Sequence, residues 1–312
     1  MTITLTRRAC SLLGGLALLA GCSAAGTQVA PATGELGPAA RAGSGALLYV
    51  VDDGTGKVPY YSYPKMKQAG VLSGFGSANG ACVDAGGNVF ISDAHNSEVD
   101  EFAHGGTKVL RRLKDAEDYL GGCAIDPVSG NLAVATQPRN SSPGGVAIFA
   151  HAKGKPKNLD ASGIYYPSNC AYDDKGDLFV DGGNYRGGYF KLSELPARSK
   201  TFVPISLNET ILVPGGLQWD GKYLAVADPG QGYSGSVIYR FAIDGSTGTN
   251  VSTVELDGSG DVMGFWIDGA RVIVPDKGKS GAYVKVWKYP GGGNVLKSYS
   301  GFSDPVAATI SQ

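Results

Sequence analysis

The sequence predicts an all-β fold of repeating four-stranded units, a six-bladed β-propeller closed by its own C-terminal strand, and three observations carry that reading. The 312 residues include 48 glycines and 16 prolines scattered between short runs of Val, Leu, Tyr and Phe, a pattern of many strands and turns rather than of helices. A five-residue segment ending in Asp returns five times at a nearly constant interval. The two ends of the folded region each supply part of a sixth unit.

The returning segment reads GACVD (80–84), GCAID (122–126), NCAYD (169–173), GLQWD (216–220) and GFWID (264–268), with the aspartates 42, 47, 47 and 48 residues apart. After each comes a short turn and a second strand: NVFISD, NLAVAT, DLFVDG, YLAVAD and RVIVPD. Turn chemistry such as Ala85-Gly86-Gly87 makes the two strands a tight antiparallel hairpin. A third strand then ends on an aromatic, at Phe102, Phe149, Phe190, Phe241 and Trp287, and a looser fourth strand such as VSTVEL closes each unit. Four strands in a unit of roughly 40 to 50 residues is the propeller blade. ALLYVVDD (46–53) matches a second strand and VPYYSY a third, with no first strand before them. DPVAATIS (304–311) supplies it, so the last strand should pair into the first unit and shut the ring.

The N-terminus carries an export layout. Arg7 and Arg8 precede an apolar run from Ala9 to Ala20, too short to span a bilayer comfortably. Leu19, Ala20, Gly21 and Cys22 resemble the bacterial lipobox, which implies that residues 1–21 are a signal peptide and that Cys22 is lipidated. Residues 22–45 are Ala, Gly, Pro and Ser with few bulky apolar side chains, a flexible tether that cannot repay ordering by burial. The domain expected at 46–312 would then stand off a membrane, held by several acyl chains. The resemblance implies the cell envelope, outer membrane or cell surface, and Ser23 after the cysteine fits an outer-membrane lipoprotein.

The unit pattern, roughly GvAvD..GnlyVaD...n.V.vF, resembles the NHL-repeat family and its six-bladed relatives over nearly all of 46–312. Such propellers include metal-dependent lyases and lactonases whose ligands sit in the central channel. The three histidines, His95, His104 and His151, do not suit that role. His104 and His151 share a repeat position that holds Tyr63, Leu192, Ile243 and Tyr289 elsewhere, so both read as packing, and His95 lies alone in a loop. No cofactor or metal site is expected. Second strands end at or beside Asp52, Asp93, Asp181, Asp228 and Asp276, with Thr136 in the remaining unit, and these aspartates, like those ending the first strands, read as turn-makers. Cys82, Cys123 and Cys170, on first strands of consecutive units, read as buried free thiols, because inner strands of neighbouring blades are usually too far apart for a disulfide.

With 27 basic against 28 acidic residues and a net charge of −1, nucleic acid is not an expected partner. The expectation is a monomeric, non-catalytic binding propeller for an envelope protein or an extracellular ligand such as a glycan. The alternatives are a hydrolase or lyase of the lactonase type and a structural envelope scaffold. Loops joining second to third strands emerge on one face and offer Arg139, Asn140, Asn184, Tyr185, Arg186, Gln231 and Tyr233 as binding side chains.

Overall fold

The computed structural model of the chain describes residues 45–115, 118–139, 142–184, 190–230 and 235–312. The chain falls into two compact units, Met1–Glu35 and Leu36–Gln312, and only the second contains described residues. The segments expected to be a signal peptide and a tether, with Cys22 between them, lie outside the described residues up to residue 44. So do Asn140, Tyr185, Arg186, Gln231 and Tyr233.

Among the described residues, each sequence unit contributes four antiparallel strands. The first sheet runs from the C-terminal strand Pro305–Ser311 outward through Leu47–Asp52 and Lys57–Ser62 to Lys67–Ser73. The second takes Ala78–Val83, Val89–Asp93, Glu98–Phe102 and Val109–Lys114 in that order, and the third Asp118–Ile125, Leu132–Pro138, Gly145–Phe149 and Lys157–Asp160. Tyr166–Tyr172, Leu178–Gly183, Phe190–Leu195 and Val203–Leu207 form four strands of an eight-stranded sheet. Its other half, Leu217–Trp219, Leu224–Asp228, Ser236–Asp244 and Thr247–Leu256, joins through two parallel pairs, Ser206 with Thr247 and Leu207 with Gly248. Trp266–Asp268, Arg271–Gly278, Gly281–Lys288 and Lys297–Phe302 make the last sheet.

The predicted closure is present. Leu47 pairs with Ser311 and Val50 with Ala308, so the C-terminal strand is the innermost of the first sheet. Asp52 then receives the backbone N–H of Ser303 at 3.1 Å and of Asp304 at 2.6 Å. Lys277 of the last sheet grips Asp304 at 2.6 Å.

The core lies between sheets. One cluster joins Phe90 and Val99 of the second sheet to Leu132, Val134 and Phe149 of the third, and another joins Ala225 and Ile238 to Val274 and Trp287 across the next-to-last and last sets. The third-strand aromatics Phe102, Phe149, Phe241 and Trp287 are buried there, each worth about 1.5–3 kcal/mol in area removed from water. The fourth unit departs from expectation. Phe190 begins its third strand opposite Gly183, and Leu195 occupies the place opposite Leu178 that aromatics fill elsewhere. The strand is shifted by five residues against the sequence alignment, because a leucine there satisfies the same demand for bulk.

The aspartates at the second-strand ends are buried and tie each sheet to the chain arriving from the previous one. Asp93 accepts from Gly76 N at 2.7 Å and Ser77 N at 3.0 Å as well as from the local His95 and Asn96 amides. Asp228 accepts from Leu212 N and Val213 N, and Asp276 from Gly260 N at 2.5 Å. Their reach extends beyond the local turn to a segment some 16 residues earlier in the chain. The aspartates that end the first strands do behave as local turn-makers: Asp84 accepts from Gly86 N and Asn88 N, and Asp173 from Lys175 N and Asp177 N.

Candidate functional site

The inner strands converge at one end, and the repeat glycine marks the place. A Cβ on Gly80 would lie 2.8 Å from Gly121 O and Gly122 Cα, and one on Gly122 would lie 2.6 Å from Asn169 Oδ1. A Cβ on Gly216 would stand 3.1 Å from Gly264 Cα, and one on Gly264 only 2.5 Å from Val306 O. No side chain fits where neighbouring backbones approach so closely, which is why the returning segment begins with glycine. The fourth unit has Asn169 instead, and its amide donates to Gly215 O at 2.6 Å, bridging to the next inner strand.

This convergence overturns the expectation of three free thiols. Cys82 and Cys123 form a disulfide across the second and third inner strands, with Cα atoms 5.7 Å apart, inside the span a disulfide requires. Gly80, Gly121 and Gly122 let the two strands come that close. Cys170 is the remaining thiol, buried, with Gly122 O 3.4 Å from its sulfur; burial pushes its pKa up to about 12, so it resists ionisation.

Beyond the glycines the strands diverge and enclose a cavity of about 430 Å³ that reaches the first-to-second-strand turns at Pro127, Asp174 and Gly221. Tyr172, Trp219, Phe265 and Trp266 line one side, on three consecutive inner strands, and small residues such as Ala81, Ala124, Ala307 and Ala308 the other. Gln218 is committed to its neighbour, accepting from Ile267 N at 2.7 Å. Asp173 and Asp174 are charged groups of the lining, and among the described lining residues there is no Lys, Arg or His.

The histidines lie away from the cavity, but not as packed residues. His104 and His151 are exposed and bond to turns instead. The Ser311 hydroxyl donates to Gly87 O at 2.5 Å and accepts from His104 Nδ1 at 2.7 Å, linking the C-terminal strand to the second unit. His151 has a left-handed backbone, φ 49°, and places Nδ1 2.8 Å from Ser129 O. Both sit where the chain turns away from the sheet, so the repeat position points outward there. His95 is exposed in its loop. Among the described residues no group of three or more His, Cys, Asp or Glu side chains could hold a metal ion.

On the opposite face, two of the expected binding residues are described. Arg139 lies over the Tyr119 ring at 4.0 Å and donates through Nη2 to His95 O at 2.7 Å and Ala94 O at 3.1 Å. Its guanidinium is therefore engaged in holding the loop of the second unit. Asn184 follows the strand Leu178–Gly183 and is half-buried. Sequence reasoning missed a different set on this face. Tyr119, Tyr166, Leu212 and Met263 are 46%, 37%, 47% and 39% exposed, and all lie at or just before the start of first strands in four consecutive units. Their common place relative to the unit is a signal the alignment contained.

No protein-family model matches the chain, and no curated protein matches it. Solved structures do. A chain from a crystal structure of a nidogen/laminin complex superposes with a TM-score of 0.65 at 13% identity, over 86% of this chain and 99% of that one. A protein of unknown function from Bacteroides caccae superposes with a TM-score of 0.63 at 13% identity, over 86% of this chain and all of that one (100%). At such identities the likeness speaks for the fold alone, and that fold is a β-propeller.

Proposed function

We propose that this chain is a lipid-anchored, six-bladed binding propeller of the bacterial cell envelope, related to NHL-repeat propellers, that docks a protein partner on the face where second-to-third-strand loops emerge. The eight-stranded sheet counts as two blades, since its halves have the same internal order and meet through two residue pairs. The anchor rests on the lipobox ending at Cys22 and the tether after it. The observation that carries the docking reading is the set Tyr119, Tyr166, Leu212 and Met263, large apolar side chains exposed at one end of four units in a row. Exposed apolar groups gathered on one face mark interaction surfaces. Asn184 belongs to the same face as an adaptable contact and Arg139 as a support; Asn140, Tyr185, Arg186, Gln231 and Tyr233, outside the described residues, are further contacts expected from the sequence. The nidogen/laminin neighbour, solved as a complex, is in keeping with a propeller that meets a protein.

A photo-crosslinking residue at Tyr166 in the full, anchored chain should capture one discrete partner in the native envelope, and the same residue at Val128, in a turn of the opposite face, should not. Replacing Tyr119, Leu212 and Met263 by Ser should remove the product. Equal capture from both positions would sink this assignment of the face. For the anchor, Cys22→Ser should leave an unprocessed or soluble protein; wild type that takes up no labelled fatty acid would end that reading.

A further inference from the structure

We infer that the wide end of the central channel is a second binding site, for a neutral, flat, mainly apolar molecule. The site is separate from the docking face and opens on the opposite one.

Size comes first. The cavity of about 430 Å³ lies within the roughly 300–1,000 Å³ of small-molecule sites. The inner-strand glycines Gly80, Gly122, Gly216 and Gly264 line it together with the turn residues, and at Gly264 a Cβ would stand 2.5 Å from Val306 O. A molecule would enter past the turn residues Pro127, Asp174 and Gly221 and stop at the converging strands.

Shape comes from the unequal walls. Aromatic side chains on three adjacent inner strands face alanines on the others, so the free space lies as a layer against the rings. A planar ligand meets the most wall per atom there. The Trp219 ring is held by a parallel stack on Phe179, centroids 6.5 Å apart, which keeps that wall in place.

Polarity decides the class. Two polar side chains of the lining, Asn169 and Gln218, are bonded to neighbouring backbone. Asp173 and Asp174 at the mouth, with no basic residue among the described lining, disfavour an anion. The Asp173 carboxylate is bonded to turn amides, so it is poorly placed to reward a cation.

The test titrates the full chain by calorimetry with 2-acetylnaphthalene, 2-naphthoate and 2-naphthyltrimethylammonium. The neutral ketone should bind one to one, and both ions at least about tenfold more weakly. Ala124→Phe should abolish binding by filling the cavity. Ala307→Leu, on another inner strand of the small-residue wall, should do the same and guards against a fold defect in the first filling variant. The docking-face variant lacking Tyr119, Leu212 and Met263 should bind the ketone as wild type does, so the two sites fail independently. No binding of the ketone, tighter binding of either ion, or undiminished binding in both filling variants would overturn the inference.

Discussion

The two ends of the central channel are built from the same inner strands yet obey different rules. At the narrow end the repeat position reads Gly80, Gly122, Asn169, Gly216 and Gly264, and at the four glycines an added Cβ would meet the neighbouring strand. Three residues on, just before the turn aspartate, it reads Val83, Ile125, Tyr172, Trp219 and Ile267. The strands have diverged there, and the space accepts anything from valine to tryptophan. Where geometry is tight the units must agree, and where it is loose they are free to differ. Differences among units therefore collect at the end that can hold a ligand.

The largest effect should come from opening the ring at both ends at once. Deleting residues 304–312 removes the innermost strand of the first sheet, with Ala308 and Ile310, and the partner of Asp52. The unfolding transition should lose its cooperativity, and a midpoint unchanged in a calorimetric scan would refute closure by this strand.

Substituting the two ends separately is the sharper test. Gly264→Ala should cost about 3 kcal/mol or more, because its new Cβ meets a backbone oxygen that cannot move alone. Ala124→Val at the wide end should cost less than about 1 kcal/mol. Urea unfolding of the two would break the comparison if the losses came out equal.

The disulfide is a product of the narrow end. Replacing Cys82 and Cys123 together by Ser opens a loop closed over a sequence separation of 41 and should lower stability by about 3–4 kcal/mol on the chain-entropy account. In the native protein, peptide mapping should find Cys82 joined to Cys123, and iodoacetamide should reach Cys170 only after unfolding. Alkylation of Cys170 in the native state would contradict its burial.

The smallest effect concerns Asp181, which lies at the second-strand end of the unit that lacks the repeat glycine. Burial raises its pKa well above the ordinary carboxylate value, more than the hydrogen bonds from Asn169 lower it. The folded state therefore holds this proton more tightly than the unfolded chain, and its contribution to stability is complete below the unfolded pKa of about 3.9 and is lost as pH rises through the folded value. Asp181→Asn keeps an acceptor for Asn169 N and has no proton to lose. Its stability relative to wild type should grow with pH above about 4, by no more than about 1.4 kcal/mol per pH unit. Parallel pH profiles of the two proteins would mean that Asp181 ionises normally.

Much of the fold was legible because a repeat reports its own geometry. The hairpin turns, the third-strand aromatics and the orphaned strand at the C-terminus follow from residue order, since each unit must bury one face against the next. Phe190 misled because its neighbourhood copies the letters of a strand end, while the pairing is set by Leu178 and Leu195. His104 and His151 misled because a shared repeat position fixes where a residue stands and not whether it faces the core or the solvent. Of the candidate site, residue types on the loop face could be named in advance. That Arg139 would be engaged by Tyr119 and the His95 carbonyl could not.

The sequence by itself determined that the chain is all-β, where its units begin, which strand closes it, and that its aspartates serve the backbone. These are consequences of local turn chemistry and of a hydrophobic pattern that every unit repeats. Only the tertiary structure decided that Cys82 and Cys123 are bonded, that the inner strands enclose a cavity with aromatics on three of them, and that Tyr119, Tyr166, Leu212 and Met263 share a face. Each of those depends on the distance between neighbouring inner strands or on the tilt of one sheet against the next. Such distances arise when all the sheets pack around one axis, and no single unit of the sequence records them.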